Sequence, residues 1–435
     1  RDLVRSRGLG DVYKRQVMQR GGEKLDSDAQ TITVTKPNAP AVTVQNCING
    51  NDGKLTGVNN TMEYRISGAG SWIAIDGSEV PSLAAGSYEV RYKANGTALA
   101  SAPQTVTIGS YAAQLTKSNN DVSYYDSLKA AVDAATSNSG STVKLLQNIK
   151  VEAYSLGIEG CKNPFTIDLN GKTLSTDIDP TAHPGNLVFY LKNNDASLTL
   201  INSASTQAVI KSQRAFHIQY SGGVIIGKPD GSDSNIKFDL STMLATGSPG
   251  NTGSITIYGG IFECPVNVST AENAGVSKVT LYGGTFSKIG AAAPATLVGT
   301  LAAGYAYKDN THNWVNNPNG NSLTEVTVQK APVQNLSVTA AAETVYGQPV
   351  SIIATPTLLD TSSEVSYKWY QGNTEIAGAS ESVYNTAVGL DAGSYTFRCE
   401  VSCDGYITSK SVALKVNKAD CQITPPTAKE NLVYT

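Results

Sequence analysis

The chain has 435 residues, and at about 150 residues per domain that length implies roughly three domains. Its 33 Lys+Arg against 36 Asp+Glu leave a formal net charge of −3, which argues against a basic field for nucleic acid or anionic lipid as the main working surface. Charged residues are 16% of the chain, Gly numbers 40, and Tyr outnumbers Phe by 21 to 7, a composition that suits an extracellular β protein better than a cytosolic α/β enzyme. No window approaches 18 uninterrupted apolar residues, so no membrane span is expected.

The opening stretch, Arg1 to Gln16, carries Arg1, Arg5, Arg7, Lys14 and Arg15 and shows no strand or helix period. Its GLGDVYKRQ segment resembles a translated adaptor sequence, and the other reading is a disordered basic arm. Residues 1–29 are therefore expected to be a non-native or disordered leader. Gln30–Thr35 then alternates as a strand with no evident partner before it, and it matches Gln104–Gly109, 74 residues on. Together with Ala428–Thr435, which reads as the opening of a further truncated module (418–435), this suggests a repeat array cut at both ends.

Residues 30–109 read as a small β-sandwich. Met62–Ile66 and Trp72–Ile75 alternate with period two, and a Gly86-Ser-Tyr88 turn follows. The ten residues Leu83–Tyr92 align without a gap with Leu390–Cys399. In both, a Gly turn precedes a Tyr that starts a strand, the local chemistry of a tyrosine corner. Trp72 is expected in the core of the first sandwich and Trp369 in that of the second.

One amphipathic helix follows. Asp126–Thr136 places Leu128, Ala131, Val132 and Ala135 on one face, with Asp126 or Ser127 as N-cap, and it is expected to cap the unit after it. In that unit short strands recur at Val143, Ile167, Leu198, Val224, Ile255 and Val279, at steps of 24, 31, 26, 31 and 24. Each opens apolar–variable–apolar, and most carry Gly or Asn just after. A small step with one strand and one turn per unit points to stacked coils of parallel strands, whose inward Ile and Val are buried only by the next coil. The last two coils share (I/V)T(I/L)YGG(I/T)F, and their Tyr258 and Tyr282 point outward about 4.8 Å apart. Leu301–Tyr307 and Trp314 are expected to close the last coil, and 316–330 to be a linker with a strand. In residues 331–417, Val350–Ala354 reads as strand B and Tyr367–Tyr370 as strand C, with Phe397 where an antibody-type domain has its second Cys.

These features resemble a known set of modules. Residues 110–315 resemble the right-handed, pectin-lyase-like β-helix of large bacterial surface proteins with YGGTF-type coils. Residues 30–109 resemble fibronectin type III-like modules, and 331–417 resemble a bacterial immunoglobulin-like domain. The fold class expected is all-β, a right-handed parallel β-helix flanked by β-sandwiches with one capping helix. The resemblance implies a bacterial adhesin-like protein at the cell surface or secreted.

The chemistry was weighed against that resemblance. Cys47, Cys161, Cys264, Cys399, Cys403 and Cys421 share no repeated spacing and read as buried thiols; no CxxC pair with His supports zinc. Asp168, Lys211, Arg214, His217, Lys228, Asp230, Asp233 and Asp239 are the residues a polysaccharide lyase or hydrolase would draw on. They form no paired-Asp or Arg-x-Lys motif, Asp230 and Asp233 sit in a turn-like GKPDGSDSN loop, and His217 reads as a lone exposed His. The expectation is no catalytic residue, no metal and no cofactor, with Tyr258 and Tyr282 as ligand-binding residues, since exposed rings can stack on the apolar faces of sugars. Host or plant glycans or glycoproteins are the expected partners of a monomer with no nucleic-acid role. The competing readings are a secreted carbohydrate-active enzyme of the β-helix type and a purely structural stalk.

Overall fold

The computed structural model describes residues 12–17, 30–151, 155–176, 186–192, 197–219, 222–247, 253–265, 268–269, 276–289, 296–297, 300–315, 323–386, 390–420, 423 and 425–427. They are all-β apart from the helix Leu128–Thr136. Three separate apolar cores lie along the chain, one in each of two sandwiches and one in the unit between them.

In the central unit the chain alternates between two large sheets. The first holds Thr142–Leu145, Phe165–Asp168, Leu198–Ile201, Val224–Ile226, Gly253–Ile257 and Val276–Leu281, each parallel to the next. These are the six segments singled out by their spacing. Their register aligns Val143, Ile167, Leu200, Ile226, Ile257 and Leu281 in one column, continued by Leu301. Val143 to Leu281 are fully buried, and burying each such side chain is worth about 1.5–3 kcal/mol. No single strand could hide that column; its neighbours on either side do.

A unit of one strand and one turn per step proves too simple, because each pass also adds to a second sheet. There Thr173–Ser175, Ala208–Ile218, Ile236–Gly247, Ile261–Pro265 and Gly284–Ile289 run parallel. Ala208–Ile218 is long enough to pair with Thr173–Ser175 through one half and with Leu187–Lys192 through the other, and its pairing with Ile236–Gly247 shifts register between Ser212 and Arg214. Inside, Phe238, Phe262 and Phe286 stack with centroids 4.7 and 4.9 Å apart and ring planes within 5° and 9°.

The helix covers the first end of this core. Ser127 is its N-cap, accepting from the Ala130 amide at 3.2 Å, and Leu128, Ala131, Val132 and Ala135 are buried. Beside it an antiparallel hairpin, Ala113–Thr116 with Val122–Tyr125, extends the first sheet before the first coil. At the other end, Leu323–Lys330 pairs antiparallel with both Gly284–Ile289 and Tyr305–Lys308. The strand within 316–330 is Leu323–Lys330, and its Val326 and Val328 belong to the core of the central unit. Trp314 lies at this end too, in the short strand Trp314–Val315 antiparallel to Tyr305–Lys308, and it also reaches the C-terminal sandwich: its Nε1 donates to the Asp404 carbonyl at 3.1 Å and its ring meets Tyr406 edge-on at 5.5 Å.

That sandwich packs the sheet Val333–Thr339, Ser351–Leu358, Val383–Asn385 on the sheet Glu343–Val345, Tyr406–Asn417, Gly393–Cys403, Val365–Gln371, Thr374–Glu375. This strand order, with a parallel strand added beside Tyr406–Asn417, is immunoglobulin-like. Trp369 and Phe397 are fully buried in it. The N-terminal sandwich packs Thr43–Gln45, Gly53–Thr56, Glu79–Leu83 on Ile73–Ala74, Met62–Ile66, Gly86–Tyr92, Gln104–Ile108. Both tyrosine corners form: Tyr88 Oη donates to the Ala84 carbonyl and Tyr395 Oη to the Asp391 carbonyl, each at 2.9 Å.

Two expectations for the N-terminal part are overturned. Val12–Val17 is a strand antiparallel to Gln30–Thr35, so that part of the supposed leader has regular structure and supplies the missing partner. Thr35 meets the sandwich through backbone bonds to Thr97 and Leu99, and Gln30–Thr35 belongs to neither of its two sheets. Trp72 is not in the core. It is half-buried, with the Arg91 and Arg65 guanidinium carbons 3.9 and 4.4 Å from its ring centre.

Candidate functional site

The site begins with the YGG corners. Ile257 and Leu281 point inward and fix the phase, so that Tyr258 and Tyr282, one residue on, turn outward at the sheet edge. The first glycine of each corner must lack a side chain because the coil before it is too close. A Cβ on Gly283 would lie 2.2 Å from the Tyr258 carbonyl oxygen, and one on Gly259 would lie 2.2 Å from Ser234 Oγ. The second glycine must accept a left-handed backbone, with φ of 120° at Gly260 and 109° at Gly284. The inward strand with its Phe resumes immediately after. The spacing of one sheet repeat then brings the two Tyr rings to 4.8 Å, tilted by 34°.

A third ring joins them. Tyr305 meets Tyr282 edge-on with centroids 5.3 Å apart. The three half-buried rings line an open groove of about 570 Å³. Pro229, Asp230 and Gly231 form one rim, and Gln329 and Lys330 of the strand Leu323–Lys330 form the other. Asp230 is exposed, and hydrogen bonds from Ser232 to its carboxylate hold its pKa below the usual carboxylate value. The groove thus combines aromatic carbon, main chain bared by four glycines, and hydrogen-bonding side chains at both rims.

Of the residues that line this groove, the sequence singles out Tyr258 and Tyr282 as ligand-binding candidates and gives no sign of Tyr305, Gln329 or Lys330. Tyr305 stands outside the YGG phase, because the register places Leu301, and hence Ala302, opposite the Leu281–Tyr282 step. Lys330 arrives on an antiparallel strand that follows no coil period. Neither carried a periodic signal.

The residues weighed for catalysis do not converge. Asp168 is buried and occupied with its own corner: it accepts from the Asn170 and Ser203 amides at 2.9 and 3.0 Å and from Ser203 Oγ at 2.5 Å. Asp233 pairs with Lys228 at 2.5 Å, a bond that raises the lysine's pKa, and Asp239 pairs with Lys211 at 3.5 Å. His217 is corrected from exposed to half-buried. Its ring meets Tyr190 edge-on at 5.0 Å, and burial, helped by the Arg214 charge, lowers its pKa. Among the described residues, the buried Nε of Arg214 finds no hydrogen-bond partner. Among the described residues, no three His, Cys, Asp or Glu side chains stand together as a metal-binding set.

Cys47, Cys161, Cys264, Cys399 and Cys403 are buried thiols, and Cys421 lies outside the described residues. Burial raises the pKa of both Cys264 and Cys399 to about 12. No helix among the described residues is long and apolar enough to cross a membrane.

No family model matches the chain, and no curated protein does. Among solved structures, it is similar to the N-terminal four Ig domains of Dscam1 isoform 4.44. The identity is 10%, 94% of this chain and 81% of that one are covered, and the TM-score is 0.17. Two chains that superpose so loosely share no traced geometry, and nothing about the groove is carried over from that molecule.

Proposed function

We propose that this chain is a non-catalytic bacterial protein, exposed on the cell surface or secreted, that works in adhesion or display by binding glycans or glycoproteins. The central unit reads as a right-handed, pectin-lyase-like β-helix. The sandwiches beside it read as spacers, fibronectin III-like before and immunoglobulin-like after. The observation that carries the reading is the column of tyrosine rings over an open groove with hydrogen-bonding side chains on both rims. Sugars offer an apolar ring face and a fringe of hydroxyls, and such a groove meets both. The acids of the groove's loop support the same reading, because Asp233 is engaged with Lys228 and Asp230 with the Ser232 amide. The protein is read as a monomer working without a cofactor. A glycan array probed with the full chain tests this: binding to defined plant or host glycans, without turnover of them, is the expected result.

One observation favours a second reading, a secreted carbohydrate-active enzyme. Arg214 Nε is buried without a partner beside a half-buried His217 of depressed pKa, and perturbed groups of this kind gather at reacting centres. Incubating the chain with pectin, xylan and host glycans, with and without calcium, separates the two. Product formation that disappears in Arg214→Ala would replace the first reading with the second.

A further inference from the structure

The groove is finished from outside the coils. Tyr305 opens the strand Tyr305–Lys308 after a tight turn, in which its amide donates to the Ala302 carbonyl at 3.1 Å. Gly304 holds the third place of that turn with φ of 78°, the left-handed value a type II turn needs there. The register then pairs Tyr305 with Lys330, so one of the groove's rings and one of its rims belong to the same small piece of sheet.

Both ends of that piece are held by the C-terminal sandwich. At the near end, the Gly304 carbonyl accepts from the Ala331 amide at 2.8 Å and from Gln334 Nε2 at 3.0 Å, and Gln334 Nε2 also donates to the Ala331 carbonyl. Gln334 lies in Val333–Thr339, a strand of the sandwich. Gly304 leaves room for it: a Cβ there would lie 2.7 Å from Gln334 Oε1, and the side chain would have to move. At the far end, Tyr305–Lys308 pairs with Trp314–Val315, and Lys308 Nζ sits 4.3 Å from the centre of the Trp314 ring. That ring is the one fixed against Asp404 and Tyr406 of the sandwich. Only Ala331 and Pro332 separate the strand Leu323–Lys330 from Val333–Thr339. Both are buried, and the Pro332 carbonyl accepts from the Leu359 amide at 2.8 Å, so the connection is no loose linker.

We infer that the C-terminal sandwich is a positioning element of the groove and not a spacer alone, with Gln334 as the positioning residue that seats Tyr305 and the Lys330 rim. The Gln334 contact fixes the corner from which the ring leaves, and the Trp314 contact fixes the strand behind it. The alternative state is a sandwich swung away, with the Gly304 and Trp314 contacts broken and the corner released. A ligand that touches Tyr305 or Lys330 is gripped better in the seated state, and by linkage it favours seating by the same factor. The inference rests on the glycan-binding reading for its ligand, while the seating of Tyr305 is measurable without one.

The test uses the full chain and native-state hydrogen exchange. Gln334→Ala is expected to speed exchange at the Tyr305 and Ala331 amides by about fivefold, the weight of one hydrogen bond. The Ile376 amide in the sandwich and the Tyr258 amide in the coils, each bonded to a carbonyl of its own unit, are expected to stay within about twofold. Gln334→Glu, which keeps the length but puts a carboxylate in place of the donor, is expected to match Gln334→Ala. Neutral hexasaccharides of the cello-, xylo-, manno- and chito-series are then titrated by calorimetry. A probe that binds, supplied at about ten times its dissociation constant, is expected to slow exchange at the Ala331 amide of the unaltered chain by about tenfold, the full linkage for a ligand that binds only the seated state. Ala331 is outside the groove lining, so direct cover by the ligand does not protect it. Exchange at Tyr305 and Ala331 that is unmoved by Gln334→Ala, or that rises evenly through the sandwich, overturns the inference. So does a glycan that binds and leaves the Ala331 amide unprotected. If no glycan binds, in these titrations or on the array, the glycan reading falls, and the Gln334 variants alone decide whether the sandwich seats Tyr305.

Discussion

The two sandwiches share a ten-residue signature and one local hydrogen bond, yet they treat their tryptophans in opposite ways. In the C-terminal sandwich Trp369 is fully buried and its Nε1 donates to the Glu381 carbonyl at 2.8 Å. In the N-terminal one Trp72 lies outside the core between two arginines. Each arginine is fixed by a cross-strand glutamate, Arg65 with Glu89 and Arg91 with Glu63, at 2.6 and 2.7 Å. The difference comes from the strand that carries the ring. Trp369 sits inside the seven-residue Val365–Gln371, where alternation across a wide sheet aims it inward. Trp72 precedes a two-residue edge strand, and the inward place falls to Ile75 three residues later. A shared corner motif thus fixes a turn, while burial is decided by the length and place of the neighbouring strand.

That comparison can be broken at several points. Trp369→Ala should remove about 3–5 kcal/mol from the C-terminal sandwich, because it empties a core site and leaves the Glu381 carbonyl unpaired. Urea unfolding followed by tyrosine fluorescence would show it, and a loss under about 1 kcal/mol would mean the ring is not a core element.

Cys399, opposite Trp369 in the register, offers a second probe. Its pKa is raised from 9.0 to about 12 by burial, so at pH 8 its thiolate is about a thousandfold scarcer than in the unfolded chain. Thiol labelling followed by peptide mapping should find Cys399 slower in the native state by at least that factor. The native state holds this proton more tightly. Its contribution is therefore complete below pH 9 and is lost as pH rises towards 12, and a midpoint rising over that range would contradict the burial.

The corners should respond alike. Tyr88→Phe and Tyr395→Phe each delete one hydrogen bond and keep the ring, so each is expected to cost about 1 kcal/mol. A large disparity in thermal shifts would show that the shared motif is not equivalent in the two sandwiches. The smallest effect is expected at Trp72. Trp72→Ala should cost no more than about 1 kcal/mol, the weight of an exposed cation–π contact, and should be blunted further in an Arg91→Ala background. A cost like that of Trp369→Ala would abolish the distinction drawn above.

Much of the central unit was legible because its information is local and repeated. Apolar–variable–apolar triplets at a near-constant step told which side chains face inward, and the YGG corners told where the backbone turns left-handed. The helix face followed from a pattern of 3.6 residues, whereas the choice of Ser127 over Asp126 as N-cap was left to the structure. The groove was only half legible. Tyr258 and Tyr282 are in phase with the repeat, whereas Tyr305, Asp230 and Lys330 come from a last strand, a loop and an antiparallel strand that keep no period.

By itself the sequence determined the all-β class, the alternation of inward and outward residues and the tyrosine corners. All of these depend on φ preferences and on periods of two or 3.6 residues, which are properties of neighbours along the chain. Pairing was left to the tertiary structure: Val12–Val17 against Gln30–Thr35, Leu323–Lys330 against the last coil, Trp314 against Tyr406, and Trp72 against two arginines. A strand's pattern says which face it buries but carries no mark of the strand beside it. That choice is made only when distant segments compete to cover the same core.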